Sequence, residues 1–377
     1  MADRICPGRL LHVGESIADT ASSDFGDAKE LRQVPNFPLQ VLAGHRKPVC
    51  MAAFTPDARR VLTASYDHTA RVFSAESGVC ERVLDGHFGA VHWVAASPDA
   101  AKVATASADR TARVFDVASG ACERTLEGHR GELYTVAFSP DGSRVLTASG
   151  DRTARLFSAA TGECEQRFAG HAQAVSRAVF SSDGSRVLTA SSDSTARLFS
   201  VASGECEQNF QGHTAHVYAA AFSPDSRKVV TASADKTARL FDADTGACER
   251  TLGEHRDRVY AAAFSPDGAK VLTASADGFA RLFDAATGAC EKTFDSGSAD
   301  GSAAALHTAA FSPDGLRIVT ASDDRCVKVF RIDTGECEKS FEGHGDHVYT
   351  ASWSPDSQLV LTASDDTTAK IFSAAAK

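Results

Sequence analysis

Residues 128–168 read GHRGELYTVAFSPDGSRVLTASGDRTARLFSAATGECEQRF, and the order of signals in this stretch decides the fold. Leu133–Phe138 is an apolar run, Ser139-Pro140-Asp141-Gly142 a turn, and Arg144–Ala148 a second run rich in β-formers. Ser149-Gly150-Asp151 turns the chain again, and Ala154–Phe157 forms a third run. Thr161-Gly162 makes a third turn, and Cys164–Phe168 a fourth run before Gly170-His171. Pro-Asp-Gly and Thr-Gly supply the preset φ and the positive φ that tight turns need. No helical period intervenes, so the stretch predicts four short strands joined by turns.

Outward from this unit the pattern repeats. His45, His87, His129, His171, His213 and His255 are spaced by 42 residues, each after Gly except His255, which follows Glu254. The next unit carries five extra residues and puts Ser302 in that place; His344 then resumes the spacing. Eight units of four short strands predict the blades of a propeller. The 377 residues, which as ordinary domains would make two or three, become one ring.

Gly-His, then Ser-x-Asp twenty residues later, then a strand ending in an aromatic residue resembles the pattern of WD-repeat β-propellers, over residues 36–377. The resemblance implies an all-β fold: a single eight-bladed WD-repeat β-propeller with four antiparallel strands per blade. The eighth unit ends just after Ala369–Phe372 and has no fourth strand of its own, while Phe37–Leu42 reads as an unpartnered fourth strand. The family closes its ring by pairing such a strand with the last blade, which removes the open sheet edges that invite aggregation. Residues 1–35 are expected to form a flexible N-terminal arm, and the Asp295–Gly301 loop of the seventh unit a surface insertion.

Each unit offers Ser, Asp and usually His, as in His45/Ser65/Asp67, His129/Ser149/Asp151 and His213/Ser233/Asp235. This is the composition of a hydrolase triad, but nothing adds an oxyanion hole or singles out one copy, so no catalytic residue is assigned. The resemblance makes these residues a buried network that ties the loop before the first strand to the turn between the second and third. In the family a Trp completes that network by donating to a Ser or Thr hydroxyl. Here Phe73, Phe115, Phe157, Phe199, Phe241, Phe283, Phe330 and Phe372 take its place, and Phe cannot donate.

Seven of the ten cysteines, Cys80, Cys122, Cys164, Cys206, Cys248, Cys290 and Cys337, share one repeat position early in the fourth strand. Outermost strands put equivalent atoms of adjacent blades ~15 Å apart, whereas a disulfide needs Cα atoms within about 7 Å. They are read as core-filling thiols in a reducing compartment. His213-x-x-His216 and His344-x-x-His347 mimic half a zinc site, but no CxxC accompanies them and one His of each pair belongs to the network. No metal or cofactor is expected.

The 39 Lys and Arg against 49 Asp and Glu give a net charge of −10 without a basic run, so no nucleic-acid partner is expected. No stretch approaches the ~18 apolar residues of a membrane span. The chain is therefore expected to be cytoplasmic, without membrane insertion; a nuclear or ciliary site is compatible.

What the units share is structural, so function is sought where they diverge. In the resembling family, partner contacts concentrate on the top face, at the residues three and five after the Gly-His histidine and just before the turn Asp. These positions hold Tyr66, His92, Glu132, Tyr134, His216, Tyr218, Arg258, Tyr260, His307, Asp323, His347, Tyr349 and Asp365, among blander residues. All five tyrosines of the chain fall on them. Tyr combines apolar area with a hydroxyl and is enriched at interface hot spots.

The expected function is thus a non-enzymatic scaffold for proteins or peptides, monomeric by itself within a larger signalling, assembly or transport complex. One alternative is a substrate-recognition subunit of a ubiquitin ligase, although the Trp-Asp-x-Arg box for cullin docking has no match. Another is an enzyme or small-ligand binder using the central channel, which would need charged residues on inner strands expected to offer mostly Ala, Val and Phe.

Overall fold

The computed structural model describes residues 37–297 and 304–375. The expected N-terminal arm lies outside them, as does most of the seventh-unit insertion. Thirty-two strands make eight four-stranded antiparallel sheets, each a blade with its first strand at the channel and its fourth at the rim. In blade 3 the strands are Leu133–Phe138, Arg144–Ser149, Ala154–Ser158 and Cys164–Phe168, so the turns fall where the Pro-Asp-Gly, Ser-Gly-Asp and Thr-Gly signals lie.

The first strand of the chain, β1 (Gln40–Leu42), closes the ring. It pairs antiparallel with Ala369–Ser373 of blade 8, Gln40 opposite Ile371 and Leu42 opposite Ala369. Its regular part is shorter than the expected Phe37–Leu42: the Leu39 amide donates to Ile371 O at 2.7 Å, and Phe37 is 71% exposed. Only Leu42 of the strand is fully buried, where it joins Val49, Phe73 and Ile371 in the seam between blades 8 and 1.

The core lies between blades rather than within them. Ala112, Val114 and Leu126 of blade 2 pack with Leu133, Val145 and Phe157 of blade 3, and equivalent clusters recur around the ring. The Phe at the end of each third strand fills these interfaces. Its ring meets the last residue of the preceding blade's outer strand: Phe168 with Phe199, Phe210 with Phe241 and Phe341 with Phe372, centroids 5.4, 5.2 and 4.7 Å apart. Burying each such side chain is worth about 1.5–3 kcal/mol, so apolar bulk is what this position must supply.

The repeated cysteines correct an expectation. Cys122, Cys164, Cys206, Cys248 and Cys337 are exposed and do not fill the core, while only Cys80 and Cys290, half-buried, pack against the inter-blade clusters. A strand on the rim has neighbours on one side only, and its buried anchor is the last residue, such as Leu126 or Phe168, not the first. All cysteines among the described residues are free thiols.

Candidate partner-binding site at the channel mouth

The loop into each inner strand is held by a histidine. In blade 1, His45 Nδ1 donates to Asp67 Oδ2 (2.9 Å) and its Nε2 lies 2.7 Å from Thr63 Oγ1. The same pair of contacts recurs for His87, His129, His171, His213, His255 and His344. Burial pushes His129, His213 and His344 below the ordinary histidine value. The neutral tautomer then protonates Nδ1 and leaves Nε2 to accept the threonine hydroxyl. Burial would raise Asp67 and Asp151, but the histidine and threonine hydrogen bonds hold both well below the carboxylate range.

The serines take a different place from the one the triad composition suggests. Ser65 Oγ donates to Lys47 O and accepts the Asp67 amide, and Ser149 and Ser233 do the same with Gly131 and Ala215. They fasten the turn to the incoming loop without touching the imidazole. The hydroxyl that meets the imidazole belongs to Thr63, Thr147 and Thr231, which the sequence reading missed. Their signal was the constant Thr four residues before the turn Asp. A hydroxyl engaged by Nε2 is not left unpaired by the Phe at the Trp position. In blade 7 the residue at the histidine position, Ser302, lies outside the described residues.

Blade 6 varies the network. Glu254 stands where the other units have Gly, and Phe279 stands where the others have the Thr after the turn, except blade 7, which has Cys326. Arg281 there donates to Asp277 Oδ2 (2.9 Å) and contacts His255 Nδ1. In blade 1, by contrast, Gly44 has φ +130°, and a Cβ on it would fall 2.4 Å from the Arg71 guanidinium, which only glycine permits.

With loop and turn fixed, three repeat positions converge at the channel mouth. The amide just before each turn Asp donates to the carbonyl three residues after the network histidine: Tyr66 to Pro48, Gly150 to Glu132, Asp365 to His347, and so on in all eight blades. The residue five after the histidine position falls at a β-bulge in every inner strand. A bulge breaks the two-residue alternation, and here both the fifth and the sixth residue line the channel.

The result is a ring of aromatic side chains. Tyr66, His92 and Tyr134 follow one another with centroids 5.8 and 6.3 Å apart. On the other side Tyr218, Tyr260, His307 and Tyr349 run in sequence at 5.4, 5.7 and 5.8 Å, with His216 beside Tyr218 at 6.3 Å. Cys50 and Ser176 occupy the equivalent positions of blades 1 and 4 and donate to backbone carbonyls of the following blade. Gly150 leaves room for the Tyr134 hydroxyl, which a Cβ there would meet at 2.9 Å.

Polar groups frame the ring. Asp323 accepts from His307 Nε2 (2.6 Å) and His347 Nδ1 (3.0 Å), and Tyr349 donates to Asp365. Burial would raise Asp323, but His307 and His347 keep it below the ordinary carboxylate value. Glu132 lies 3.8 Å from His92 Nε2. Exposed Arg258 is pushed up by the neighbouring Tyr218 and Tyr260 hydroxyls, while burial raises Tyr260.

The ring lines a 240 Å³ cavity to which all eight inner strands contribute. The expectation of mostly Ala, Val and Phe facing the channel fails at this level. Trp93, Thr135, Arg177, Thr308 and Thr350, the residues that follow the bulge, line it together with Ser352. Offsets of three and five pass over them; the next residue along would have found them. Among the described residues no three His, Cys, Asp or Glu converge as a metal site, and no helix is long and apolar enough to cross a membrane.

The family model of the WD domain, G-beta repeat, matches residues 36–74, 78–116, 120–158, 162–200, 204–242, 246–284, 288–331 and 335–373. The chain belongs to that WD-repeat family. WD-repeat propellers commonly act as interaction scaffolds and generally bind proteins or peptides. No curated protein matches this WD-repeat chain. Among solved structures, the crystal structure of the computationally designed Ika8 protein is similar to it with a TM-score of 0.78 at 25% identity, over 89% of this chain and 99% of that one.

Proposed function

We propose that this WD-repeat protein is a non-enzymatic scaffold that docks a partner protein or peptide on the face where its loops and turns converge, as part of a signalling, assembly or transport complex in the cytoplasm. The observation that carries this reading is the aromatic ring. Five tyrosines and two channel-facing histidines sit on one structural level, held by bulges and a rigid network. Pre-organised aromatic side chains lose little entropy when a partner covers them. Tyr218, Tyr260 and Tyr349, with His347 and Arg258 at the rim, form the longer arc and the main docking patch; Tyr66, His92, Glu132 and Tyr134 form the shorter one.

The test is proximity labelling with the wild-type chain and a Tyr218→Ala/Tyr260→Ala/Tyr349→Ala variant. Proteins labelled by the wild type should drop out with the variant while its melting curve still shows a cooperative fold. Retention of the full set by a folded variant overturns the assignment of the patch.

A further inference from the structure

Arg177 is the residue of the channel that neither the blade network nor the ring explains. It projects from the inner strand of blade 4 (Val175–Phe180), and its guanidinium carbon lies 5.4 Å from the centroid of Trp93, two blades away. Among the described residues its side chain makes no ion pair and no hydrogen bond, its backbone alone pairing with Ala190 in the sheet. The acidic residues near the mouth are engaged elsewhere: Asp323 with His307 and His347, Asp365 with Tyr349, Glu132 beside His92. From blade 8, on the opposite side of the ring, Thr350 and Ser352 line the same cavity with buried hydroxyls that lack a hydrogen-bond partner.

Arg177 is half-buried in the wall of the cavity, and a charge drawn partly out of water is normally met by a counter-charge. Burial does push this guanidinium below its ordinary value, though an arginine stays charged at any physiological pH. An unpaired cation over an aromatic face in a cavity is a half-built ion pair. We propose that Arg177 receives a single carboxylate, the Asp or Glu side chain of a peptide seated on the aromatic ring, while the Thr350 and Ser352 hydroxyls of the opposite wall meet other polar groups of that peptide. This rests on the docking reading above and deepens it by naming the partner's chemistry.

Three observations favour a carboxylate over a phosphate. Among the described residues Arg177 is the only Lys or Arg that lines the cavity, so it balances one negative charge and not two. The mouth is fringed by Glu132, Asp323 and Asp365, which repel a dianion more strongly than a monoanion. The walls are Trp93, tyrosines and alanines, which suit a side chain carrying one polar end on an apolar stem.

The experiment uses two labelled peptide mixtures, Ac-X-X-Glu-X-X-NH2 and the same with Gln at the centre, titrated by fluorescence anisotropy against the full chain, R177Q and R177K. Sodium acetate at equal carboxylate concentration is the free-anion control. The Glu mixture should bind the wild type at least tenfold more tightly than the Gln mixture. R177Q should abolish that preference and R177K retain part of it. Competition by acetate at the peptide's own concentration would assign the site to a free anion instead and overturn the peptide source. Equal binding of the two mixtures, no binding of either, or an undiminished Glu preference in R177Q overturns the carboxylate site. Failure of the docking patch has a different signature: a Tyr218→Ala/Tyr260→Ala variant then binds both mixtures as the wild type does, whatever happens at Arg177.

Discussion

His129, His213 and His344 are small pH sensors that the fold pays to keep neutral. Because burial holds His129, His213 and His344 below the ordinary value of 6.5, protonation favours the unfolded chain. Stability is therefore full above about pH 6.5 and declines as pH falls through and below that value. Asp151, Asp235 and Asp366 sit below 3.8 through their histidine and threonine hydrogen bonds. They add a second loss that begins near pH 4 and grows as pH falls further towards their lowered folded values. Thermal melts from pH 8 to pH 3 should show Tm falling in these two windows; a flat profile between pH 7 and 5 would deny the first. His129→Ala strips the Asp151 carboxylate of its imidazole donor and should cost about 1.5–3 kcal/mol at neutral pH by denaturant titration. Arg177→Met behaves oppositely. Replacing a half-buried, unpaired charge by a similar apolar volume should leave the urea midpoint unchanged or raise it, which separates a binding residue from a structural one.

At the scale of the element, legibility was uneven for a physical reason. Turn chemistry is local, so Pro-Asp-Gly and Thr-Gly marked the strand ends of Leu133–Phe168 without tertiary information. Which side chain meets an imidazole is not local, and that is why Ser65 stood where Thr63 belonged: both are two-step neighbours on one face of the same strand. The channel lining was hidden by the bulges, since strict alternation would send Arg177 and Trp93 to the opposite side from the residues before them. The third-strand Phe carries a further prediction. Phe157 is 1% exposed and its blade's Thr147 hydroxyl is already engaged by His129. Phe157→Trp should therefore lose about 1–3 kcal/mol to overpacking and regain little from the new N–H, as urea melts of the single variant would show.

For the whole molecule, the period made the ring and its closure readable, because eight units with one strand missing at the end and one spare at the start admit few arrangements. The aromatic level was legible only as the placement of all five tyrosines on three repeat positions, since the ring it forms comes from eight blades folding together. Closure itself makes a prediction: deleting residues 1–43 removes β1 and leaves Ala369–Ser373 as a bare edge. Size-exclusion chromatography should find the truncated chain aggregated, and a soluble monomer would contradict the role given to β1.

The same seam dictates an order of events during synthesis. Gln40 and Ile371, opposite each other in blade 8, are more than three hundred residues apart along the chain. A ribosome adding roughly 5–20 residues per second exposes β1 within seconds and withholds its partner until translation is almost complete. Seven blades can stack as they emerge, each on the one before. The first strand must wait beside them with its hydrogen bonds unmade, so the nascent protein passes most of its synthesis as an open arc with both ends available to chaperones.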